Sequence, residues 1–186
     1  LVGNFYALFD IPGIDGLTYR INYGNNTVFA REYGSRVYGA GETGEAFKNN
    51  SLQIEHTLDN IVNYTKQFQK HSINATFVYG FNTVEFERTA ALGQGYDDLT
   101  LSYNNLALAE IQRIESGGWD EALLYQMARI GYNYDERYLL TATLRRDGFS
   151  GFSRDNKFAI FPSIGLGWAL SEESFFNASF VDYLKI

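Results

Sequence analysis

Cysteine is missing altogether from this 186-residue chain, which rules out a disulfide framework, a thiolate nucleophile and a zinc knuckle. Proline occurs only twice, and so few breaks leave room for long, uninterrupted strands. Histidine also occurs twice, at His56 and His71, with no second imidazole at metal-ligand spacing from either, so no metal is expected. Basic residues are outnumbered, 15 Lys and Arg against 22 Asp and Glu. The resulting net charge of −7 has the wrong sign for a phosphate-binding footprint, and no nucleic-acid partner is expected. No run of eighteen apolar residues exists, hence no transmembrane helix. That absence leaves a membrane barrel open, because barrel strands alternate and keep hydropathy averages low. No secretory leader is visible either, since Leu1 opens directly on strand-like sequence.

What the chain has instead is aromatic residues, 17 % of the whole, and alternation. In "ERYLLTATLRRDG", residues 136 to 148, Tyr138, Leu140, Ala142 and Leu144 fall on one side, and Leu139, Thr141, Thr143 and Arg145 on the other. Period two means an extended strand with two unlike faces. The pattern recurs at Phe5, Ala7, Phe9 and Ile11, and after the turn "PGIDG" at Leu17, Tyr19, Ile21 and Tyr23. A long polar segment, "GNNTVFAREYGSRVYGAGETGEAFKNN", then precedes Leu52, Ile54, His56, Leu58, Val62 and Tyr64. A short turn near "FQKHS" leads to Ile73, Ala75, Phe77, Tyr79 and Phe81, and a second long segment runs from about Glu85 to Trp119. Ala128, Ile130, Tyr132 and Tyr134 enter the tight turn "NYDERY", and after "RDGFSGFSRDNK" come Phe158, Ile160, Pro162, Ile164, Leu166, Trp168 and Leu170.

About seven strands are thus expected, with "VDYLKI" starting an eighth, and their connections alternate between short turns and long loops. That is an antiparallel up-and-down sheet, all-β, with tight turns at one end and large loops at the other. Two media compete for the apolar face. A soluble sandwich carries charged residues on its outer face, whereas the second face here is mainly Thr, Asn, Ser, Gly and Ala. That composition suits a hydrated lumen. Tyr23, Tyr64, Tyr132, Tyr134, Tyr138 and Trp168 lie near strand ends on the apolar face, where phenol and indole groups meet lipid headgroups. The expected fold is therefore a transmembrane β-barrel segment. Its last strand stops after six residues, short of the about nine to eleven that a crossing needs. An open edge in lipid would leave backbone groups unpaired, so residues 1–186 are expected to be part of a larger barrel domain.

Ordered motifs then point to a family. "ALLYQMARIGYNYDERYLLTATLRRDG", "FAIFPSIGLGWALSEESFF" and "VDYLKI", preceded by "GNFYALFDIPGIDGLTYRINYG" and "QKHSINATFVYGF", together resemble the SusC/RagA family of TonB-linked outer-membrane proteins from Bacteroidetes. Two departures stand out: Phe149-Ser150-Gly151-Phe152 follows "RRDG", and Ala169 follows Trp168, where the family often has a Ser-Ser-Arg-Phe-like stretch and Arg. The resemblance implies a barrel of about 22 strands with a plugged lumen, the plug and barrel remainder lying outside this chain. It also implies import of oligosaccharides or peptides, a SusD-like surface lipoprotein as lid, outer-membrane lipid around the wall, and energy delivered through TonB. Rival readings are a TonB-dependent siderophore or cobalamin receptor, a small self-contained outer-membrane barrel, and a soluble sugar-binding β-sandwich.

No catalytic centre and no cofactor site can be read. Glu172 and Glu173 are adjacent near a turn and point apart on a strand, and the Gly-rich "GETGEAF" and "GFSGF" do not join a strand to a helix as a phosphate loop requires. Asn-x-Ser/Thr sequons at Asn25, Asn49, Asn63, Asn74 and Asn177 are read as compositional accidents. Charges on the polar face, at Arg20, Glu55, Asp59, Arg129 and Arg145, are expected to brace the wall, contact the plug or line the substrate path. Loop aromatics at Phe29, Tyr33, Tyr38, Tyr96 and Tyr103 are vestibule candidates, able to stack on a sugar or to pack their own loop. "NNLALAEIQRIES" spaces Leu106, Ala109, Glu110 and Arg113 as a short helix would.

Overall fold

The computed structural model describes residues 1–37, 44–153, 155–177 and 180–186. Seven strands follow in chain order: β1 Val2–Asp10, β2 Leu17–Arg36, β3 Gly44–Phe68, β4 His71–Tyr96, β5 Ile111–Tyr134, β6 Tyr138–Phe149 and β7 Phe158–Trp168. They form one antiparallel sheet in that same order, the up-and-down arrangement that alternation predicts. Among the described residues there is no α-helix.

The structure corrects several of these expectations. Both long polar segments are mostly strand: β2 and β3 absorb much of the first, and β4 and β5 much of the second. A strand with no apolar face shows no hydropathic alternation, yet its backbone ladder continues regardless of side chain. The helix expected over residues 104–116 is absent. Three-residue 3-10 turns at Ser102–Asn104 and Leu106–Leu108 stand there, followed by β5. An isolated helix of that length is marginal, while Ala109 is buried against Tyr96 and Ala46, and its neighbour's Glu110 N–H donates to the Gly95 carbonyl at 3.2 Å. Leu170 opens a 3-10 turn instead of extending β7. "VDYLKI" makes an isolated bridge, Ala169 to Lys185, with the backbone of Ile186 exchanging hydrogen bonds of 2.9 and 3.0 Å with Trp168.

Backbone contacts divide the chain into two compact units. The first, here the turn unit, comprises Asn4–Gly24, Thr57–Asn82 and Ala122–Ile186. Its register keeps the faces apart. Ile130 sits beside Ala142 and Ala142 beside Ile164, and Tyr132, Leu140 and Leu166 form the next apolar row. Arg129, Thr143 and Ser163, then Gly131, Thr141 and Gly165, make the opposite rows. A slip of one residue would exchange the two faces. Ile164 and Leu166 are 76 % and 81 % exposed, whereas in a sandwich they would be buried between sheets. Leaving such a side chain in water forfeits about 1.5–3 kcal/mol each, so this face calls for an apolar medium that the described residues do not supply. On the polar face Asn82, Thr76 and Asn74 donate to Thr57, Asn63 and Thr65 at 2.9, 2.8 and 2.9 Å, a cross-strand ladder between β4 and β3.

Arg146 falls on the apolar face by alternation, and its guanidinium lies 3.7 Å from the Phe158 ring centroid. At the other end of these strands an aromatic row runs Phe68, His71, Tyr134, Tyr138, Trp168, with centroids 4.9, 4.9, 6.3 and 6.4 Å apart. Tight turns fix this end. Asp135 and Glu136 have φ of 54° and 58°, and the Arg137 N–H closes the turn on the Tyr134 carbonyl at 3.0 Å, a β-turn with two left-handed central residues. In "PGIDG", Gly16 has φ +83° and accepts from the Thr65 N–H at 2.9 Å. A Cβ on Gly16 would run into the Thr65 carbonyl oxygen, so only glycine fits there.

Charges tie the turns together. Lys70 meets Asp135 at 2.8 Å, and Arg137 reaches Asp135 at 3.5 Å and Glu173 at 3.7 Å. Glu173 also accepts from the Tyr138 hydroxyl at 2.6 Å and the Trp168 indole at 3.0 Å. Those two donors, Tyr138 first, hold the Glu173 carboxyl below its ordinary range, and the Lys70 hydrogen bond does the same for Asp135. A carboxyl whose folded pKa is lowered stabilises the fold above its unfolded pKa, and that contribution is lost as pH falls through the folded value. Stepping the pH of the full-length protein down from neutral should therefore lower its unfolding temperature through the carboxylate range. Glu173→Gln should flatten that slope, as read from heat-modified mobility in detergent gels.

The second unit, here the loop unit, comprises Leu1–Gly3, Asn25–His56 and Thr83–Glu121. Ala46, Tyr96 and Ala109 are its buried apolar residues, with Leu99, Tyr103 and Leu106 packed against them. The connection between β4 and β5 thus folds down on one face of the strands.

Candidate functional site

On the polar face of the turn unit a side-chain cluster crosses several strands. Arg145 on β6 donates through Nε to both oxygens of Asp147 at 2.8 and 2.9 Å, and its guanidinium lies 5.4 Å from the Tyr125 ring on β5. The Tyr125 hydroxyl donates in turn to Asp59 on β3. Between them on β4 is Gly80, where a Cβ would meet the Tyr125 ring at 2.5 Å. The missing side chain lets tyrosine lie across its neighbour strand and reach the next one. Of the charges expected on this face, Asp59 and Arg145 are brought together in this way. Arg20 stands apart, donating to Asn22 at 2.6 Å with its guanidinium 4.5 Å from the Tyr6 ring. Arg129 is exposed beside Thr143, and Glu55 lies half-buried on β3 in the loop unit.

In the loop unit one strand face carries charge. A cavity of about 400 Å³ is lined there by Glu32, Arg36, Glu45, Asn49, Arg88 and Arg113, among others. Arg36 pairs with Glu45 at 3.6 Å, and the Asn49 amide donates to Glu32 at 3.4 Å. An adjoining cavity of about 280 Å³ shares Arg88, Ala90 and Glu115 with the first and is closed by Phe86 and Trp119, whose rings stack at 5.4 Å and 22°.

The aromatic vestibule candidates largely pack among themselves. Tyr33 lies 5.7 Å from Tyr103 and donates to Asn50 at 2.6 Å, with the Lys48 ammonium 5.3 Å from its ring. Tyr96 is buried with Ala46 and Ala109, and burial pushes its hydroxyl pKa up. Phe29 is exposed, with the Arg31 guanidinium 4.6 Å from its centroid. Tyr38 lies outside the described residues. His56 hydrogen-bonds Asn25 at 3.2 Å, and His71 hydrogen-bonds the Tyr132 hydroxyl at 2.7 Å. Among the described residues no group of three potential ligands could hold a metal ion.

No family model matches the chain. It is 31 % identical over 181 residues to TonB-dependent receptor P3 of Formosa agariphila, an alignment taking in 95 % of this chain and 18 % of that one. The chain resembles a segment of a SusC/RagA-like TonB-dependent receptor. TonB-dependent receptor SusC of Bacteroides thetaiotaomicron is 39 % identical over 83 residues, 45 % of this chain and 8 % of the relative. The same fold occurs in the RagAB peptide importer in its open-open state, with a TM-score of 0.82 at 20 % identity over 94 % of this chain and 20 % of that one. A structure of the RagAB peptide transporter gives 0.79 at 21 % identity, covering 90 % and 20 %. The chain thus spans about a fifth of the relatives matched over most of its length.

A TonB-dependent receptor of this kind resides in the bacterial outer membrane. That supplies the apolar medium that the Ile164 and Leu166 face requires, with the Asp59, Tyr125 and Arg145 face turned from lipid. Sequence reasoning overlooked Tyr125, Asp147, Gly80, Arg88, Arg113 and the Phe86–Trp119 stack. Tyr125 shares parity with Arg129, and Gly80 interrupts a strand of larger residues, so both carried a signal. The loop-unit residues carried none, because their segments did not read as strands.

Proposed function

We propose that this chain forms part of the barrel wall of a non-enzymatic importer that takes up oligosaccharides or peptides in a TonB-dependent manner. On this reading residues 1–186 belong to the barrel domain, and the plug and remaining strands lie elsewhere in the full-length protein. A SusD-like lipoprotein covers the outer mouth and captures ligand, TonB pulls on the plug, and ligand passes down the lumen. The reading rests on one observation above all: an apolar strand face with no protein over it, in a chain 31 % identical across 181 residues to a TonB-dependent receptor.

The polar-face residues take their roles from chemistry. Asp59 and Arg145, joined through Tyr125, cross-brace the wall and present charge to the plug, with Arg20 and Arg129 as further plug or substrate-path contacts. Glu55, on the part of β3 that belongs to the loop unit, is a further contact of this kind. Phe29, Tyr33, Tyr96 and Tyr103 shape the loops of the outer vestibule, Tyr96 from the inside. Uptake of a labelled substrate by cells carrying the full-length protein should fall to background when a protonophore is added. Uptake that persists unchanged would defeat the energy-coupled reading.

A further inference from the structure

Two arginines of the loop unit have no partner among the described residues. Among the described residues Arg88 on β4 and Arg113 on β5 make no hydrogen bond or ion pair, whereas Arg36 in the same cavity is paired with Glu45. Both line the 400 Å³ cavity, and Arg88 also lines the smaller one. An unpaired guanidinium at a concave surface is a planar fork of donors shaped for a carboxylate or a sulfate. Beside it Trp119 is 46 % exposed, held flat by its stack on Phe86. Glycine prepares the ground: a Cβ on Gly117 would meet nothing within 4 Å, while one on Gly118 would meet the Phe86 carbonyl oxygen at 2.7 Å. The space over the platform is open, and the backbone beneath it is close.

We infer that these two cavities form one subsite for an anionic oligosaccharide, with a sugar ring on Trp119 and its carboxylate or sulfate on Arg88 and Arg113. The C–H face of a pyranose carries partial positive charge and meets the negative face of an indole. Glu115, which lines both cavities, accepts from sugar hydroxyls. An acidic peptide side chain brings a carboxylate for the guanidiniums but no ring to lie on Trp119, so it would use only part of this lining. The lining holds as many carboxylates as guanidiniums, which favours one anionic group per ring over a densely charged polyanion. This inference deepens the importer reading and rests on it.

The test uses the full-length receptor in detergent and four probes: an oligogalacturonate, a sulfated galacto-oligosaccharide, a neutral galacto-oligosaccharide and an acidic peptide. Arg88→Gln and Arg113→Gln should each weaken binding of an anionic sugar about tenfold or more, the scale of a lost charge-assisted hydrogen bond. Arg88→Lys should lose part of the affinity, keeping the charge but not the planar fork of donors, and neutral-sugar binding should be unmoved by any arginine change. Trp119→Leu should weaken both charged and neutral sugars. Binding confined to the sulfated probe would support the site and assign the anion to a sulfate ester, and binding confined to oligogalacturonate would assign it to a uronate. Three results overturn the inference: no binding of either anionic sugar, no effect of either glutamine substitution, or an acidic peptide bound as tightly with the same arginine dependence. An uptake arm separates the two levels. If energised cells import the neutral sugar and Arg88→Gln changes nothing for the anionic ones, the subsite falls alone; if import of every probe ignores the proton gradient, the importer reading falls as well.

Discussion

Replacing Ile164 with Arg should destabilise the membrane-inserted protein by about 2–4 kcal/mol, the cost of a cation near the midplane on a lipid-facing strand. Ser163→Arg, one residue away, should change stability by no more than ~0.5 kcal/mol, as for an ordinary hydrated position. Ile164 is exposed on the apolar face and pairs with Ala142, while Ser163 pairs with Thr143 on the other. The comparison isolates face from strand, position and charge. Folding titrations of the two full-length variants into lipid vesicles read it directly, and equal costs at both positions would remove the basis for assigning either face.

Gly16→Ala should be worse still. The substitution forces an L-residue to φ +83°, which costs about 1–2 kcal/mol by itself. It also drives a methyl group into the Thr65 carbonyl oxygen, and that oxygen belongs to β3, whose neighbours on both sides hold it in the sheet. The Gly16–Thr65 backbone hydrogen bond is then lost with the close approach. Most of the folded, heat-modifiable receptor should disappear from outer-membrane fractions. Gly13→Ala is the matched control, with φ +85° but nothing within 4 Å of its Cβ. It should bear the conformational strain alone and leave the receptor assembled.

The sequence was most legible where one face met lipid. Leu140, Ile164 and Leu166 alternate with Thr141, Ser163 and Gly165 because the two sides of each strand touch different media, and that contrast is printed in the residue order. It fades where β2 to β5 lose their apolar face. Along "VEFERTAALGQGY" charged and small residues fall on both sides, and the hydrogen-bonded ladder leaves no trace in hydropathy. The expected helix at Leu106 and Ala109 failed for a related reason. Helical spacing of four residues is weak information, and Ala109 is small enough to bury against Tyr96 from a strand entry. For the site, Asp59 and Arg145 could be placed on the right face singly. Their connection through Tyr125 needed the register of three intervening strand pairs, which parity alone does not supply.

Arg146 and the Tyr138–Trp168 pair mark the two ends of the greasy belt. From Phe158 beneath the guanidinium to Trp168 is ten steps of β7. At ~3.3 Å per residue that is about 33 Å of strand, or roughly 25 Å of vertical height at the usual tilt of barrel strands. The protein therefore carries its own gauge of hydrocarbon thickness. Bilayers of long-chain lipids would submerge either the guanidinium or the indole ring, and each ångström of mismatch would cost a fraction of a kcal/mol. Insertion should be fastest into thin membranes and slow progressively as the acyl chains lengthen.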